Sequence, residues 1–249
     1  MGLRIPVLAG LIKRRLLVNF RAQPEVVQRL LPSPFQPKLH RGYAIVGICL
    51  IRLEEIRPSR VPAMLGISSE NAAHRIAVQW TDSIGKQEGV FVPRRDTGSL
   101  LNQIAGGRIF PGEHHGAKFS ISDTAEGIDF SMQSNDSSTS IRVVAQESEC
   151  LPAGSCFSSL DESSTFFEGG CVGYSVTRES ARLDGLLLRT LDWRVRALSV
   201  ARVESSFFDD QARFPSGSIE FDHALIMRDL RHEWHQVDDL CSNTAIAGS

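Results

Sequence analysis

The sequence predicts a single α+β domain dominated by β structure, in which antiparallel sheets close into a barrel or cone around an internal cavity, with a few short helices. Three observations predict this fold class. Apolar or alternating segments separated by turn residues are numerous. In the middle of the chain they recur about every ten residues, as in an antiparallel meander. Few segments show helical periodicity. Closed sheets of this kind leave an interior that can hold a small ligand.

The first third of the chain predicts strands interrupted by one helix. Pro24 is favourable at a first helical position, and apolar residues follow it at helical spacing until Pro32 and Pro34 stop the helix. Residues 57–66 form a predicted loop. The predicted strands of this part cover residues 15–21, 43–53, 74–81 and 90–93.

Residues 96–104 predict a helix that Asp96 or Thr97 caps. A second helix is predicted over residues 158–168. The remaining predicted strands cover residues 118–124, 127–134, 140–146, 174–177, 186–193, 195–206 and 218–227. No repeat or long linker divides the chain, so residues 1–240 are predicted to form one domain and residues 241–249 a loose tail.

Composition and charge exclude several functional classes. The net charge is −2, which gives no positive field for nucleic acid. Five cysteines without CxxC spacing argue against a disulfide framework or a zinc site, and free thiols fit a reducing cytoplasm. The apolar start precedes Lys13-Arg14-Arg15, which reverses the order of a signal peptide. No stretch approaches the ~18 apolar residues that span a bilayer. A cytoplasmic protein without membrane or nucleic-acid partners is therefore predicted.

Two segments carry a resemblance to a known family. Residues 13–32, with Phe20-Arg21 and a closing Pro32, resemble the opening of acetoacetate decarboxylases. Residues 106–119 (GGRIFPGEHHGAKF) look like the decarboxylase stretch in which Gly-Arg precedes two adjacent lysines. The later segments FFEGGCVGYS, SSFFDD and FDHALIMRDLRHEW resemble bacterial proteins of unknown function assigned to the same fold. The resemblance implies an acetoacetate-decarboxylase-like fold.

The resemblance also implies that this chain lacks the catalytic lysine of the family. In the family a lysine attacks the substrate ketone and forms an iminium, but here His114 and His115 stand where the lysine pair would be. Imidazole cannot form an iminium, so decarboxylation is not expected. The cavity is expected to remain, with Arg108 near it. The match further implies that Glu70 is a pocket carboxylate and that Lys13 replaces a pocket arginine.

Several residues are candidates for chemistry at this cavity. His115 or His114 could act as a general base, although adjacent residues of a strand face opposite sides. Glu70 and His74 share a face if their segment is extended, so the carboxylate could orient the imidazole. Both arrangements are also common as simple surface or loop contacts.

Arg94 and Arg95 follow a predicted strand and precede the predicted helix, where they could receive a carboxylate or phosphate. The alternative is a salt-bridged turn in which Asp96 caps the helix. Lys118 is the only lysine near the missing nucleophile. It could reach the cavity or lie on the surface.

The function predicted first is binding of a small carboxylate or oxo acid, without a Schiff-base lysine. The alternatives are a lyase or hydratase that uses histidine and glutamate, and a Schiff-base decarboxylase that uses Lys118. No metal-ligand spacing and no nucleotide-binding motif occur, so neither a metal nor a cofactor is predicted. A homo-oligomer is possible, with residues 5–17 as its interface.

Overall fold

The computed structural model describes residues 7–99, 112–177 and 182–241. Thirteen strands and two α-helices lie within these ranges. The helices are α1 (Pro24–Gln28) and α2 (Leu160–Glu168). The strands are β1 (Leu8–Ala22), β2 (Gln36–Pro37), β3 (Leu39–His40), β4 (Tyr43–Pro58), β5 (Ile67–Thr81), β6 (Lys86–Thr97), β7 (His115–Thr124), β8 (Gly127–Ser134), β9 (Ser140–Ser148), β10 (Val172–Val176), β11 (Arg182–Thr190), β12 (Arg196–Ser205) and β13 (Ile219–Cys241).

All thirteen strands belong to one sheet that closes on itself. A ring of nine strands runs β6-β7-β8-β9-β12-β13-β1-β4-β5 and returns to β6. The pair β10 and β11 bridges this ring, because β10 pairs with β6 and β11 pairs with β13. The bridge completes a second ring of seven strands: β11, β10, β6, β5, β4, β1 and β13. The result is β-dominated and closed, but it is not a regular barrel.

Strand pleating divides the interior between two apolar clusters. On β1, Leu16 and Val18 point into the larger cluster, whereas Ile12 and Leu17 point into the smaller one. Successive residues such as Leu16, Leu17 and Val18 therefore alternate between the two clusters, as the two-residue period of a strand requires. The larger cluster lies against the meander β7–β9, and the smaller one lies against α2 and Trp193.

The predicted fold class is confirmed, with three local differences. Asp96 and Thr97 continue β6 and do not open a helix, since they pair with His115 and Gly116 of β7. Residues 100–104 of that predicted helix lie outside the described residues. Strand β6 pairs in parallel with both β7 and β10, so the sheet is mixed.

The third difference concerns β13. It extends to Cys241 instead of ending at residue 227, because its second half pairs with both β1 and β11. The tail residues 242–249 lie outside the described residues. Within the described ranges, no helix has the length and apolar character needed to cross a membrane.

Candidate functional site

The candidate site is a cavity of about 510 Å³ inside the seven-strand ring. Its walls come from all seven strands of that ring, and Phe167 and Glu168 at the end of α2 cover one side. A smaller lobe of about 70 Å³ shares Cys49, Ala73 and Trp234 with it and extends toward His114. The ring therefore encloses one two-lobed space large enough for a small organic ligand.

Four arginines line this cavity. Arg189 of β11 is exposed, whereas three are at least partly buried: Arg15 of β1, Arg75 of β5 and Arg95 of β6. None of the three forms an ion pair with a carboxylate of the described residues. Two carboxylates lie on the lining, Glu168 in the larger lobe and Asp96 in the smaller. Asp96 is committed to Arg94, with an Nη2–Oδ1 distance of 2.9 Å. The cavity consequently carries an excess of positive charge.

Arg75 is the most deeply buried of these arginines, with 4% of its surface exposed. Its Nη2 donates to Asn19 Oδ1, and its guanidinium lies 4.7 Å from the centre of the Phe167 ring. Its Nε has no hydrogen-bond partner among the described residues. Burial lowers the pKa of Arg75 to about 10, so the group still carries its charge at neutral pH.

Among the described residues, Arg95 and Arg15 each make one side-chain hydrogen bond. Arg95 Nε donates to Ser175 Oγ at 2.9 Å, and burial lowers the pKa of Arg95 to about 10. Arg15 Nε donates to Cys49 Sγ at 3.3 Å, and its buried Nη1 has no partner in the described part of the chain. Both side chains therefore keep donor capacity for a ligand.

A buried polar network positions Arg75 from behind. Asn19, the acceptor for Arg75, donates from Nδ2 to His223 Nε2 at 3.1 Å. His223 Nδ1 donates to Asp222 Oδ1 at 2.6 Å, and Ser163 of α2 donates to Nε2 at 2.7 Å. Although burial opposes it, hydrogen bonds from His223, Ser155 and the Cys156 amide lower the pKa of Asp222. The network fixes one tautomer of His223 and joins α2 to β13 behind the cavity.

The adjacent side chains of His114 and His115 point in different directions, as neighbouring residues of an extended chain do. His114 lines the smaller lobe, and burial together with Arg95 lowers its pKa to about 4. His115 instead approaches Asp136, with its Nδ1 3.6 Å from Oδ2. Of the predicted catalytic histidines, the structure places His114 at the cavity and His115 beside Asp136.

Glu70 and His74 do not form the predicted pair. Glu70 accepts from Arg14 Nη2 at 2.8 Å, and burial raises the pKa of Glu70 against the influence of Arg14 and Arg52. His74 is fully buried, its Nε2 lies 3.1 Å from Ser205 Oγ, and its ring stacks on Phe207. Glu70 is thus held in an ion pair with Arg14, and His74 packs against Phe207 of the larger apolar cluster.

The remaining predicted site residues are dispersed. Arg94 points away from Arg95 and pairs with Asp96 and Asp136, because neighbours on a strand face opposite sides. Lys118 is exposed on β7, where its partner in the register is Gln133. Lys13 is exposed and pairs with Asp229 at 2.6 Å. Arg108 lies outside the described residues.

Sequence reasoning missed Arg15, Arg75 and Cys49. At alternate positions of β5, Arg75 stands between Ala73 and Ala77, and that interruption of an apolar run was the available signal. Arg15 stands between Lys13 and Leu17 on β1 and gave no such signal. Among the described residues, no group of three or more histidine, cysteine, aspartate or glutamate side chains could hold a metal ion.

The family follows from the sequence match. The model of DUF2071, a family of uncharacterized conserved proteins, matches residues 12–213. The chain belongs to the DUF2071 family. No curated protein sequence is significantly similar to this DUF2071 chain.

Solved structures show the fold that this DUF2071 protein shares. The acetoacetate decarboxylase of Legionella pneumophila is similar with a TM-score of 0.61 and 12% identity, over 94% of this chain and 88% of that one. An acetoacetate decarboxylase-like enzyme of Sphingomonas wittichii RW1 gives 0.55 and 12%, over 96% and 93%. The enduracididine biosynthesis enzyme MppR, complexed with pyruvate, gives 0.53 and 11%, over 97% and 91%. The acetoacetate-decarboxylase-like fold inferred from the sequence is thereby confirmed.

Proposed function

We propose that this protein binds a small carboxylate or oxo acid in the cavity between Arg15, Arg75 and Arg95. The observation that carries the proposal is the set of three guanidinium groups without a carboxylate partner in the described residues. Guanidinium forks match carboxylates in geometry and donate two parallel hydrogen bonds. An anionic ligand is the natural complement of this lining.

Burial of the arginine charges has an energetic cost. A charge that is removed from water without a partner destabilises the folded state, and the lowered pKa values of Arg75 and Arg95 reflect that cost. A bound carboxylate would supply the missing negative charge and accept from the unpartnered Arg75 Nε and Arg15 Nη1. Ligand binding would therefore stabilise the protein as well as satisfy these donors.

The fold relatives support the choice of an oxo acid. One of them holds pyruvate in its solved structure, and another is an acetoacetate decarboxylase. Pyruvate and acetoacetate both combine a carboxylate with a nearby carbonyl group. A cavity of about 510 Å³ has room for such a ligand and for a longer oxo acid.

The lysines argue for binding without a Schiff base. All four lysines of the chain lie in described ranges, and neither lobe has a lysine among its described lining residues. Lys118 is exposed, and Lys38 pairs with Glu88 at 2.6 Å. The acid–base alternative has His114 on the smaller lobe but Glu70 held by Arg14, so the structure favours it less.

The test compares Arg95→Gln with the exposed Arg202→Gln, whose native arginine pairs with Glu204 on the surface. Calorimetric titration with pyruvate and with acetate should show binding to the wild type. The Arg95 variant should bind at least tenfold more weakly, because a hydrogen bond to a charged group contributes about 1.5–3 kcal/mol.

Thermal unfolding supplies the second readout. Without ligand, Arg95→Gln should not lower the melting temperature, because it removes a partly buried charge that lacks a counterion. With ligand, the rise in melting temperature seen for the wild type should vanish in Arg95→Gln and persist in Arg202→Gln. Absence of carboxylate binding by the wild type, or equal binding by all three proteins, would refute the proposal.

A further inference from the structure

Strand register places Cys49 in the middle of the arginine cluster. Cys49 of β4 lies opposite Leu17 of β1 and opposite Ala73 of β5. Ala73 lies in turn opposite Arg95 of β6. These four residues form one row across the sheet, and three of them, Cys49, Ala73 and Arg95, line both lobes of the cavity.

The other two arginines are diagonal neighbours of Cys49 in the same sheet. Arg15 stands two residues before Leu17 on β1, and Arg75 stands two residues after Ala73 on β5. Diagonal neighbours on one face are within reach of long side chains. The contact from Arg15 Nε to Cys49 Sγ, at 3.3 Å, realises one of these two approaches.

The small side chain of Ala73 leaves room beside the sulfur. Adjacent strands lie about 4.8 Å apart, so about 10 Å separates the backbone of Cys49 from that of Arg95, with only a methyl group between them. The space between Cys49 and Arg95 is therefore open to a small ligand.

The setting of Cys49 differs from that of a structural cysteine. Reactive cysteines lie in electropositive, partly exposed surroundings, and Cys49 is partly exposed within the cavity. Cys156 provides the contrast, because it is buried and both burial and Asp222 raise the pKa of its thiol to about 12. The unpartnered Nε of the buried Arg75 independently indicates that an anionic ligand belongs beside Cys49.

We propose that Cys49 is a nucleophile that adds reversibly to the carbonyl carbon of a 2-oxo acid held by the three arginines. This inference rests on the proposed binding function. A sulfur electron pair forms the S–C bond, the π pair of the carbonyl moves to its oxygen, and the thiol proton ends on that oxygen. The product is a thiohemiketal, and no electrons are gained or lost overall.

The first experiment uses pyruvate labelled with carbon-13 at its carbonyl carbon. The wild type should show a broadened resonance of a tetrahedral carbon, distinct from that of the free hydrate. Cys49→Ala should lose this resonance and, in calorimetry, the part of the pyruvate affinity that the S–C bond contributes. Cys150→Ser, which alters an exposed cysteine, should retain both.

The outcomes separate the two proposals. Pyruvate binding by the wild type without a tetrahedral carbon, or a tetrahedral carbon that persists in Cys49→Ala, would refute the nucleophile and leave the binding function standing. No binding of any carboxylate by the wild type would refute both.

A second experiment measures the thiol without relying on the ligand. Iodoacetate and iodoacetamide both alkylate cysteine, but only iodoacetate carries a carboxylate that the arginines can hold. Peptide mass spectrometry should show that the ratio of the iodoacetate rate to the iodoacetamide rate is at least tenfold higher at Cys49 than at Cys150. Arg95→Gln should reduce this ratio at Cys49. Equal ratios at both cysteines would overturn the inference.

Discussion

Arg75 is a charged residue that is held inside the protein at a cost in stability. Its charge is almost completely removed from water, and its polar contact is with a neutral amide, Asn19. Asn19 is fully buried and bridges Arg75 to His223. The orientation of the guanidinium therefore depends on a residue that does not line the cavity.

Replacement of Asn19 by leucine tests that dependence. Asn19→Leu has a similar volume but leaves Arg75 Nη2 and His223 Nε2 with one partner fewer each. We expect the free energy of unfolding to fall by about 2–4 kcal/mol, because buried charged donors without partners are costly. Urea denaturation measures it, with Asn135→Leu in an exposed turn as control, expected within about 0.5 kcal/mol of the wild type. A loss as small as the control's would contradict the role given to Asn19.

At the scale of elements, the bridge of β10 and β11 forms one wall of the cavity. The bridge fits closely at Gly185 of β11. A Cβ atom there would lie 2.5 Å from Val237 Cγ2 and 2.9 Å from Tyr174 Cε1. A side chain at this position would have to push β11 away from β13 and β10 together.

We expect Gly185→Val to destabilise the protein by about 1–3 kcal/mol, since overpacking forces side chains and backbone to shift. Gly154→Val is the control, because no atom lies within 4 Å of a Cβ built at Gly154. Thermal and urea unfolding measure both variants. If the two variants were equally stable, β11 could shift without loss of stability, and the close packing at Gly185 would not limit the side chain at this position.

Strand positions could be predicted from the sequence more completely than the site. The meander of β7, β8 and β9 has turn residues at regular spacing, and local pattern alone predicts it. Residues 228–241 are rich in charge, yet they form the second half of β13 because β1 and β11 flank them. Pairing with distant strands overrode the local pattern there.

The site was harder to predict because it depends on the register between paired strands. The local pattern of a single sequence does not reveal that register. Arg95 was predicted as a ligand-binding residue, and it lines the cavity, but its neighbour Arg94 faces Asp136. Arg15 and Arg75 join Arg95 only because β1, β4, β5 and β6 pair in one particular alignment. A shift of one residue would have turned each of them to the other face.

At the scale of the whole molecule, the buried neutral His74 makes folding depend on pH. Burial lowers the pKa of His74 to about 3, against an ordinary value of 6.5. Below pH 6.5 the unfolded chain takes up a proton that the folded protein rejects. The stabilisation is therefore complete above pH 6.5 and is lost as the pH falls toward 3.

His74→Gln isolates this contribution, because glutamine keeps a polar group near Ser205 but does not titrate. Between pH 7.5 and pH 5, the wild type should lose about 1–2 kcal/mol more unfolding free energy than the variant does. Urea denaturation at both pH values gives the comparison. Parallel losses in the two proteins would mean that His74 is not the group that titrates.

The pairing of β1 with β13 has a consequence for synthesis on the ribosome. These strands are aligned from Leu8 with Trp234 to Ala22 with Ile219, and every closed ring of the sheet passes through β13. No ring can close until residues 219–241 have left the exit tunnel. Until then the edges of β1 and β12 are open to other chains, so the nascent protein remains exposed to aggregation until β13 has emerged.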